Sequence, residues 1–307
     1  MSMIGKPFKY AESPEYLNPP PGGHSACPGC GEILAMRYFL KAAGEKIILV
    51  MPPGCAGANI NVPAPSLPPS IRALATPFMT APVLAGGLST ALRVRGDTET
   101  TVIAWTGDGA TFDIGLAGLS GAAERNEDII YVCYDNEGYM NTGNQRSSAT
   151  PRGARTSTSP APTTKLERKK DIMQIMAAHA IPYSATASIA FPDDLMEKVK
   201  RAMELRGFRF FHILAPCPTG WLYRAEKTIE VARLAVETGF FPLYEVENGI
   251  YIRLNRESRG LPLENFIRLQ GRFSALTSDQ IEELKREIEL RWELLKTLIK
   301  YGQNQCH

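Results

Sequence analysis

The sequence has no long hydrophobic run, no apolar leader, no excess of one charge and no internal repeat, and each absence narrows what it can be. Its longest uncharged stretch after the proline-rich N-terminal segment, Ala73 to Leu92, is diluted by Pro, Thr, Gly and Ser. A membrane span needs about 20 predominantly apolar residues, so this stretch is expected to be a loop followed by a buried helix. Met1 to Tyr16 lacks the apolar core of a secretory signal, which predicts a cytoplasmic protein with no membrane partner. Lys and Arg number 34 against 32 Asp and Glu, a net charge of +2 without a basic block, which argues against nucleic acid as a partner. What is present, 307 residues of which 44% are hydrophobic and 21% charged, suits a globular protein with a substantial core.

Periodicity sets out the elements. Helical spacing runs over Glu32 to Ala43, Pro77 to Val94, Ile114 to Glu124, Leu166 to His179 and Asp193 to Leu205. Short apolar runs suited to buried strands occupy Ile47 to Met51, Thr101 to Trp105, Ile129 to Tyr134 and Phe208 to Leu214. Strands alternating with helices predict an α/β fold, a doubly wound and mostly parallel sheet covered on both faces. Residues 1–26 read as an extended arm, residues 52–70 as a proline-rich stretch unable to form a regular element, and residues 135–164 as a polar loop. After Tyr244 a hairpin, LYEVENGIYIRL, turns at Asn248–Gly249. A last helix, Asp279 to Lys300, is capped by Thr277 or Ser278 and carries Ile281, Leu284, Ile288, Trp292, Leu295 and Leu298 or Ile299 on one face. The expected division is an α/β domain over 1–240 and a C-terminal extension over 241–307 whose apolar face docks on a partner subunit.

The strongest chemical signal is Gly107-Asp108-Gly109 directly after a strand, with Asn136 closing the next strand. Both side chains would emerge at the carboxyl edge of a parallel sheet, where α/β folds bind ligands. A carboxylate and an amide carbonyl are hard oxygen ligands suited to Mg²⁺, whose shell phosphate oxygens and water complete. The glycines admit backbone close to a diphosphate, and a helix beginning near Asp113 would aim free N–H groups at it. A dinucleotide site fits less well, because GDGATF lacks the third glycine of G-x-G-x-x-G.

Cysteine supplies the second signal. Cys27 and Cys30 form C-P-G-C, Cys55 lies in the proline-rich stretch and Cys217 follows a strand in P-C-P-T-G-W. Four thiolates serve a [4Fe–4S] cluster or a structural Zn²⁺. A single CxxC with two dispersed partners favours the cluster; zinc and unligated thiols remain open. Cys133, inside an apolar strand, reads as core, and Cys306 as a free terminal thiol. His24, His179, His212 and His307 share no spacing. Lys165 to Lys170 reads as the solvated start of a helix.

Together these motifs resemble the β subunit of the 2-oxoacid:ferredoxin oxidoreductases, especially the pyruvate type. The resemblance rests on Cys27-x-x-Cys30-Gly31-Glu32, Gly54-Cys55, GDGATFDIGLAGLSGA, YDNEGYMNTGNQRSSATP, APCPTGW and RLQGRFSAL, spread over nearly the whole chain. It implies a catalytic subunit that takes thiamine diphosphate, Mg²⁺ and a [4Fe–4S] cluster. Asp108, Asn136 and the Gly138 carbonyl would hold the Mg²⁺. Gly107, Asp108, Gly109 and Ala110 would wrap the diphosphate, with Glu32, Cys55 and Asn141 contacting the cofactor. Asn141 and Thr142 would face the reacting carbons, and Cys27, Cys30, Cys55 and Cys217 would ligate the cluster. The implied reaction is oxidative decarboxylation of a small 2-oxo acid, with electrons leaving singly to ferredoxin and coenzyme A collecting the acyl group.

The chain lacks the C-x₂-C-x₂-C-x₃-C-P runs of a two-cluster ferredoxin module. The resemblance therefore implies α-type and ferredoxin-like partner subunits, one of them supplying the glutamate that activates the cofactor, and no activity without them. Arg152 and Arg155 stand where uncharged residues are usual in the pyruvate type, and Asn144 replaces an aliphatic residue. Positive and polar side chains beside the site would suit a dianion, so oxidation of oxalate without coenzyme A is the alternative expectation. A non-oxidative thiamine enzyme with zinc at its cysteines, and a noncatalytic cluster carrier, are the competing classes.

Overall fold

The structure, a computed structural model, describes residues 14–15, 17, 23–60 and 67–304. The arm expected over 1–26 falls largely outside them, as do Cys306 and His307. The elements in order are α1 (Gly31–Ala43), β1 (Ile47–Met51), α2 (Cys55–Ile60), β2 (Arg72–Ala75), α3 (Ala81–Val94), β3 (Thr101–Gly107), α4 (Leu116–Glu124), β4 (Ile129–Asp135) and α5 (Ile172–Ala177). They continue with β5 (Tyr183–Ser188), α6 (Pro192–Glu204), β6 (Phe208–Leu214), α7 (Pro218–Trp221), α8 (Thr228–Glu237), β7 (Leu243–Glu247), β8 (Tyr251–Arg256), α9 (Glu264–Ile267) and α10 (Ser278–Asn304).

One eight-stranded sheet runs in the order β2-β1-β3-β4-β6-β5-β7-β8. The first six strands are parallel, and β7 and β8 join antiparallel at the β5 edge. The expected α/β class and doubly wound sheet are therefore present. Strand side chains alternate between the two faces, and in β4 this sends Ile130, Val132 and Tyr134 into one core and Ile129, Tyr131 and Cys133 into the other. Residues of α1, α6 and α8 line the first core, residues of α3, α4 and α5 the second, and α10 contributes to both. Cys133 is fully buried, as its place in an apolar strand predicts. Because both faces are covered, β1 and β4 read as near-continuous apolar runs rather than alternating in polarity.

Several expectations change. The helix expected over Leu166 to His179 contracts to the six residues of α5, because Lys165 and Lys169 are drawn into the interior instead of starting a solvated helix. The proline-rich stretch does hold a regular element, α2, starting at Cys55. The helix after Gly107 begins sooner than Asp113, as a π-helical turn over Gly109–Asp113 that precedes α4. The hairpin of the C-terminal extension completes the main sheet, and Asn248 and Gly249 both take left-handed φ values of 51° and 72° at its turn. Finally, Leu284, Ile288 and Leu295 of the apolar stripe on α10, expected to face a partner subunit, are buried against this chain's own cores.

Candidate cofactor site

The carboxyl ends of β1, β3 and β4 meet where the strand order reverses between β1 and its two neighbours, the place at which open α/β sheets bind ligands. A cavity of about 100 Å³ opens there. Pro53, Gly54 and Cys55 follow β1 into it, Gly107, Asp108, Gly109 and Ala110 follow β3, and Asn136, Gly138, Tyr139, Met140, Asn141 and Thr142 follow β4; Phe78 and Tyr134 complete the wall. Phe78, Tyr134, Tyr139 and Met140 escape sequence reasoning, because an aromatic or methionine beside a motif looks like core.

At the floor, the Asn136 carboxamide, the Gly138 carbonyl and the Asp108 carboxyl face one another. One end of the Asn136 carboxamide lies 2.8 Å from the Gly138 carbonyl oxygen and 3.0 Å from Asp108 Oδ1. With its N–H₂ turned that way, the carboxamide donates to both acceptors. With its carboxamide oxygen turned that way instead, the three groups would offer a hard cation an all-oxygen donor set, which is what Mg²⁺ takes. Asp108 Oδ2 accepts from Ser147 Oγ, which fixes the carboxylate. Burial, and then the negative charge of Asp135, push the Asp108 carboxyl well above its ordinary range. A cation beside it would reverse that balance.

The turn carrying Asn136 is held from behind by buried charges. Asp135 binds Lys169 Nζ and, at 2.7 Å, His212 Nε2, so His212 is a partnered core histidine. Burial alone would raise the Asp135 carboxyl, but Lys169 and His212 hold it below its ordinary range. Glu137, at a left-handed φ of 64°, meets Lys169 at 2.7 Å. Arg272 Nη2 also stands 2.7 Å from Glu137 Oε2; its N–H is not aligned for a hydrogen bond, so that contact is Coulombic. Arg272 stacks 3.6 Å from the Trp221 ring, and Trp221 Nε1 donates to the Asn136 carbonyl at 2.7 Å. Both neighbours of Asn136 are thereby anchored.

Trp221 belongs to the turn that carries Cys217, whose Sγ accepts from Gly220 N at 3.3 Å. The thiols of Cys27, Cys30 and Cys217 all lie within electrostatic range of Cys55. Among the described residues no three Cys, His, Asp or Glu side chains converge as on one ion. Burial, followed by the nearby Glu32 charge, pushes the Cys30 thiol up to about 12 and raises Cys55 further. Thiolates are therefore costly here until a metal centre compensates them.

Glu32 does not line the cavity. It is buried behind it, accepts from Trp105 Nε1 at 3.1 Å, and burial pushes its carboxyl up to about 7. Asn141 and Thr142 do line the cavity and are exposed at its mouth, and Thr142 Oγ1 bonds Gln145 Oε1. The three residues expected to mark a dianion do not gather there. Arg152 turns to α10, where its Nε meets Glu287 and its Nη1 lies 3.6 Å from Glu283. Asn144 takes a left-handed φ of 62° and donates to the Gly220 carbonyl at 3.3 Å, bridging two loops. Arg155 is absent from the cavity wall, and its backbone N–H bonds the Arg272 carbonyl.

Sheet and switch-point cavity suit a thiamine diphosphate-binding α/β protein, and the family "Thiamine pyrophosphate enzyme, C-terminal TPP binding domain" matches residues 79–213. The ketoisovalerate oxidoreductase subunit VorB of Pyrococcus abyssi is 46% identical over 286 residues, covering 90% of this chain and 92% of that one. The pyruvate synthase subunit PorB of Methanocaldococcus jannaschii is 45% identical over 291 residues, covering 92% and 96%. A solved 2-oxoglutarate:ferredoxin oxidoreductase from Magnetococcus marinus shares the fold, with a TM-score of 0.55 and 22% identity over 71% of this chain and 79% of that one. The chain belongs to the β subunits of the 2-oxoacid:ferredoxin oxidoreductases.

Proposed function

We propose that this subunit catalyses the coenzyme A-dependent oxidative decarboxylation of a small 2-oxo acid with an uncharged aliphatic side chain, pyruvate or a branched analogue, and passes electrons toward ferredoxin. The observation that carries the reading is the convergence of the Asp108 carboxyl, Asn136 carboxamide and Gly138 carbonyl beside the glycine-lined cavity. Those three residues would hold Mg²⁺, and the backbone of Gly107 to Ala110 would enclose the diphosphate of thiamine. Asn141 and Thr142 stand at the mouth, where they would donate hydrogen bonds to the substrate. Cys27, Cys30, Cys55 and Cys217 fit a [4Fe–4S] cluster. Thiamine diphosphate supplies the electron sink for loss of CO₂, and the cluster a one-electron acceptor.

The chain's own residues do the positioning. Ser147 fixes the Asp108 carboxylate, and Trp221 ties the Cys217 turn to the Asn136 backbone, so the two cofactor sites would move as one. Phe78, Tyr139 and Met140 give the wall an apolar character, and no lysine or arginine of this chain lines the cavity among the described residues. An alkyl substituent suits such a wall better than a second carboxylate does. The α-type and ferredoxin-like subunits, coenzyme A and ferredoxin belong to the same proposal. The relatives named for ketoisovalerate and pyruvate support it at subunit level.

The test is anaerobic reduction of methyl viologen by the native complex. Pyruvate or 3-methyl-2-oxobutanoate should support reduction only with coenzyme A present, and oxalate should support none. Reduction by oxalate without coenzyme A would overturn the substrate assignment. In the same complex Asp108→Ala should lose thiamine diphosphate on desalting while iron is retained, and Cys217→Ala should lose iron.

A further inference from the structure

A second cavity, about 280 Å³, is enclosed by α10, the segment 151–174 and the sheet residues Thr186, His212 and Tyr244. It shares no lining residue with the cofactor cavity. Phe240, Phe241, Leu284 and Ile288 give it an apolar wall, and five cationic side chains also reach it. Four of the five already have partners. Arg152 and Arg168 pair with Glu287, Lys169 with Asp135 and Glu137, and Lys170 with Asp113 and the Phe112 carbonyl.

Arg291 is the exception. It forms no ion pair among the described residues; its Nη2 donates to the Phe240 carbonyl, and its Nε is buried with no partner. Burial works against its charge. Arg291 is half-buried, and the carboxylates of Asp171 and Glu287 in the same cavity lie within Coulombic reach without forming an ion pair, so its five N–H donors are only partly used. Arg291 also stands at a junction. A smaller cavity of about 50 Å³ shares Arg291, Tyr244 and Asp171 with the first and continues between Ile252, Leu295 and Leu298. Leu290 and Leu294, 46% and 41% exposed, leave the larger cavity open to solvent.

We propose that this cavity binds a small organic anion with an aliphatic or aromatic body, its carboxylate-type head on Arg291 and its body against the phenylalanines and α10. The assignment is independent of the reaction proposed above. A planar fork of N–H donors matches a carboxylate bidentately, and the volume sits near the lower end of the range for small-molecule sites. Ordered water on Arg291 is the competing arrangement, and it predicts no preference for an acid over its amide.

The experiment is isothermal titration of the full complex with 4-phenylbutyrate and, separately, 4-phenylbutyramide. The acid should bind saturably at one site per chain, at least tenfold more tightly than the amide. Arg291→Met should abolish that tenfold preference. Leu294→Trp, at a partly exposed position where the fold tolerates change, should close the mouth and weaken both ligands, and it keeps the test decisive if Arg291→Met misfolds. Equal affinity for acid and amide, no saturable binding, or binding of the acid unaltered by Leu294→Trp would overturn the proposal.

Discussion

Gly109 has room for a hydrogen and nothing larger: a Cβ there would stand 2.2 Å from the Tyr139 ring. Tyr139 cannot yield easily, because its hydroxyl donates to Asp113 Oδ2 at 3.1 Å and faces the Gly109 carbonyl at 3.3 Å. Gly109→Ala should therefore cost about 1–3 kcal/mol, as overpacking does, and displace the ring that walls the cofactor cavity. The expected result is at least a tenfold loss of thiamine diphosphate retained after desalting, with a cooperative thermal transition preserved. Retention at the wild-type level would show that Tyr139 moves without consequence for the cavity. The GDG glycines were legible from the sequence as a need for close approach. What crowds Gly109 was not, since Tyr139 lies 30 residues downstream, and only the fold brings the two together.

At the level of elements, legibility followed the hydrophobic pattern. β1, β3, β4 and β6 carry apolar runs and were visible at once. β5, Tyr183-Ser-Ala-Thr-Ala-Ser188, is buried at every position yet composed of small and hydroxylated residues, so no periodicity announces it. Thr186 shows how such a strand is tolerated, since its hydroxyl donates to the Pro242 carbonyl and accepts from Tyr244 N, both at 2.8 Å. Lys169 misled in the opposite sense: a charge run looks solvated until two buried carboxylates meet it. The α10 stripe is apolar as its spacing predicts, and part of it packs against this chain's own cores. Ile288→Ala, which removes a side chain buried in the core, should lower stability by about 2–4 kcal/mol. Leu290→Ala on the outer side should change it by less than about 0.5 kcal/mol. Thermal unfolding of both variants checks the assignment, and equal small effects would mean that α10 does not pack on its own sheet.

Across the whole molecule, the antiparallel hairpin must be welded to a parallel sheet, and one buried carboxylate sits at that joint. Glu245 on β7 is 1% exposed and accepts from Tyr183 on β5 at 2.6 Å, from Asn255 on β8 at 2.6 Å and from Arg253 Nε at 3.0 Å, with Arg201 of α6 at 3.4 Å. Burial alone would raise its carboxyl, but the bonds from Tyr183, Asn255 and Arg253 outweigh it and hold the group below its ordinary range. A carboxyl depressed in the folded state binds fewer protons there than in the unfolded chain. Its stabilisation is therefore complete above the unfolded value of about 4.3 and is lost as pH falls through the lower, folded value. Glu245→Gln should cost about 3 kcal/mol at neutral pH, because it replaces a charged acceptor by one whose N–H₂ faces donors. The difference between wild type and variant should then shrink as pH falls below about 4, where the wild-type carboxylate is protonated as well. Denaturant unfolding from pH 7 to pH 3 reads both quantities. A gap that stays constant over that range would mean that the joint is held by shape and not by the charge of Glu245.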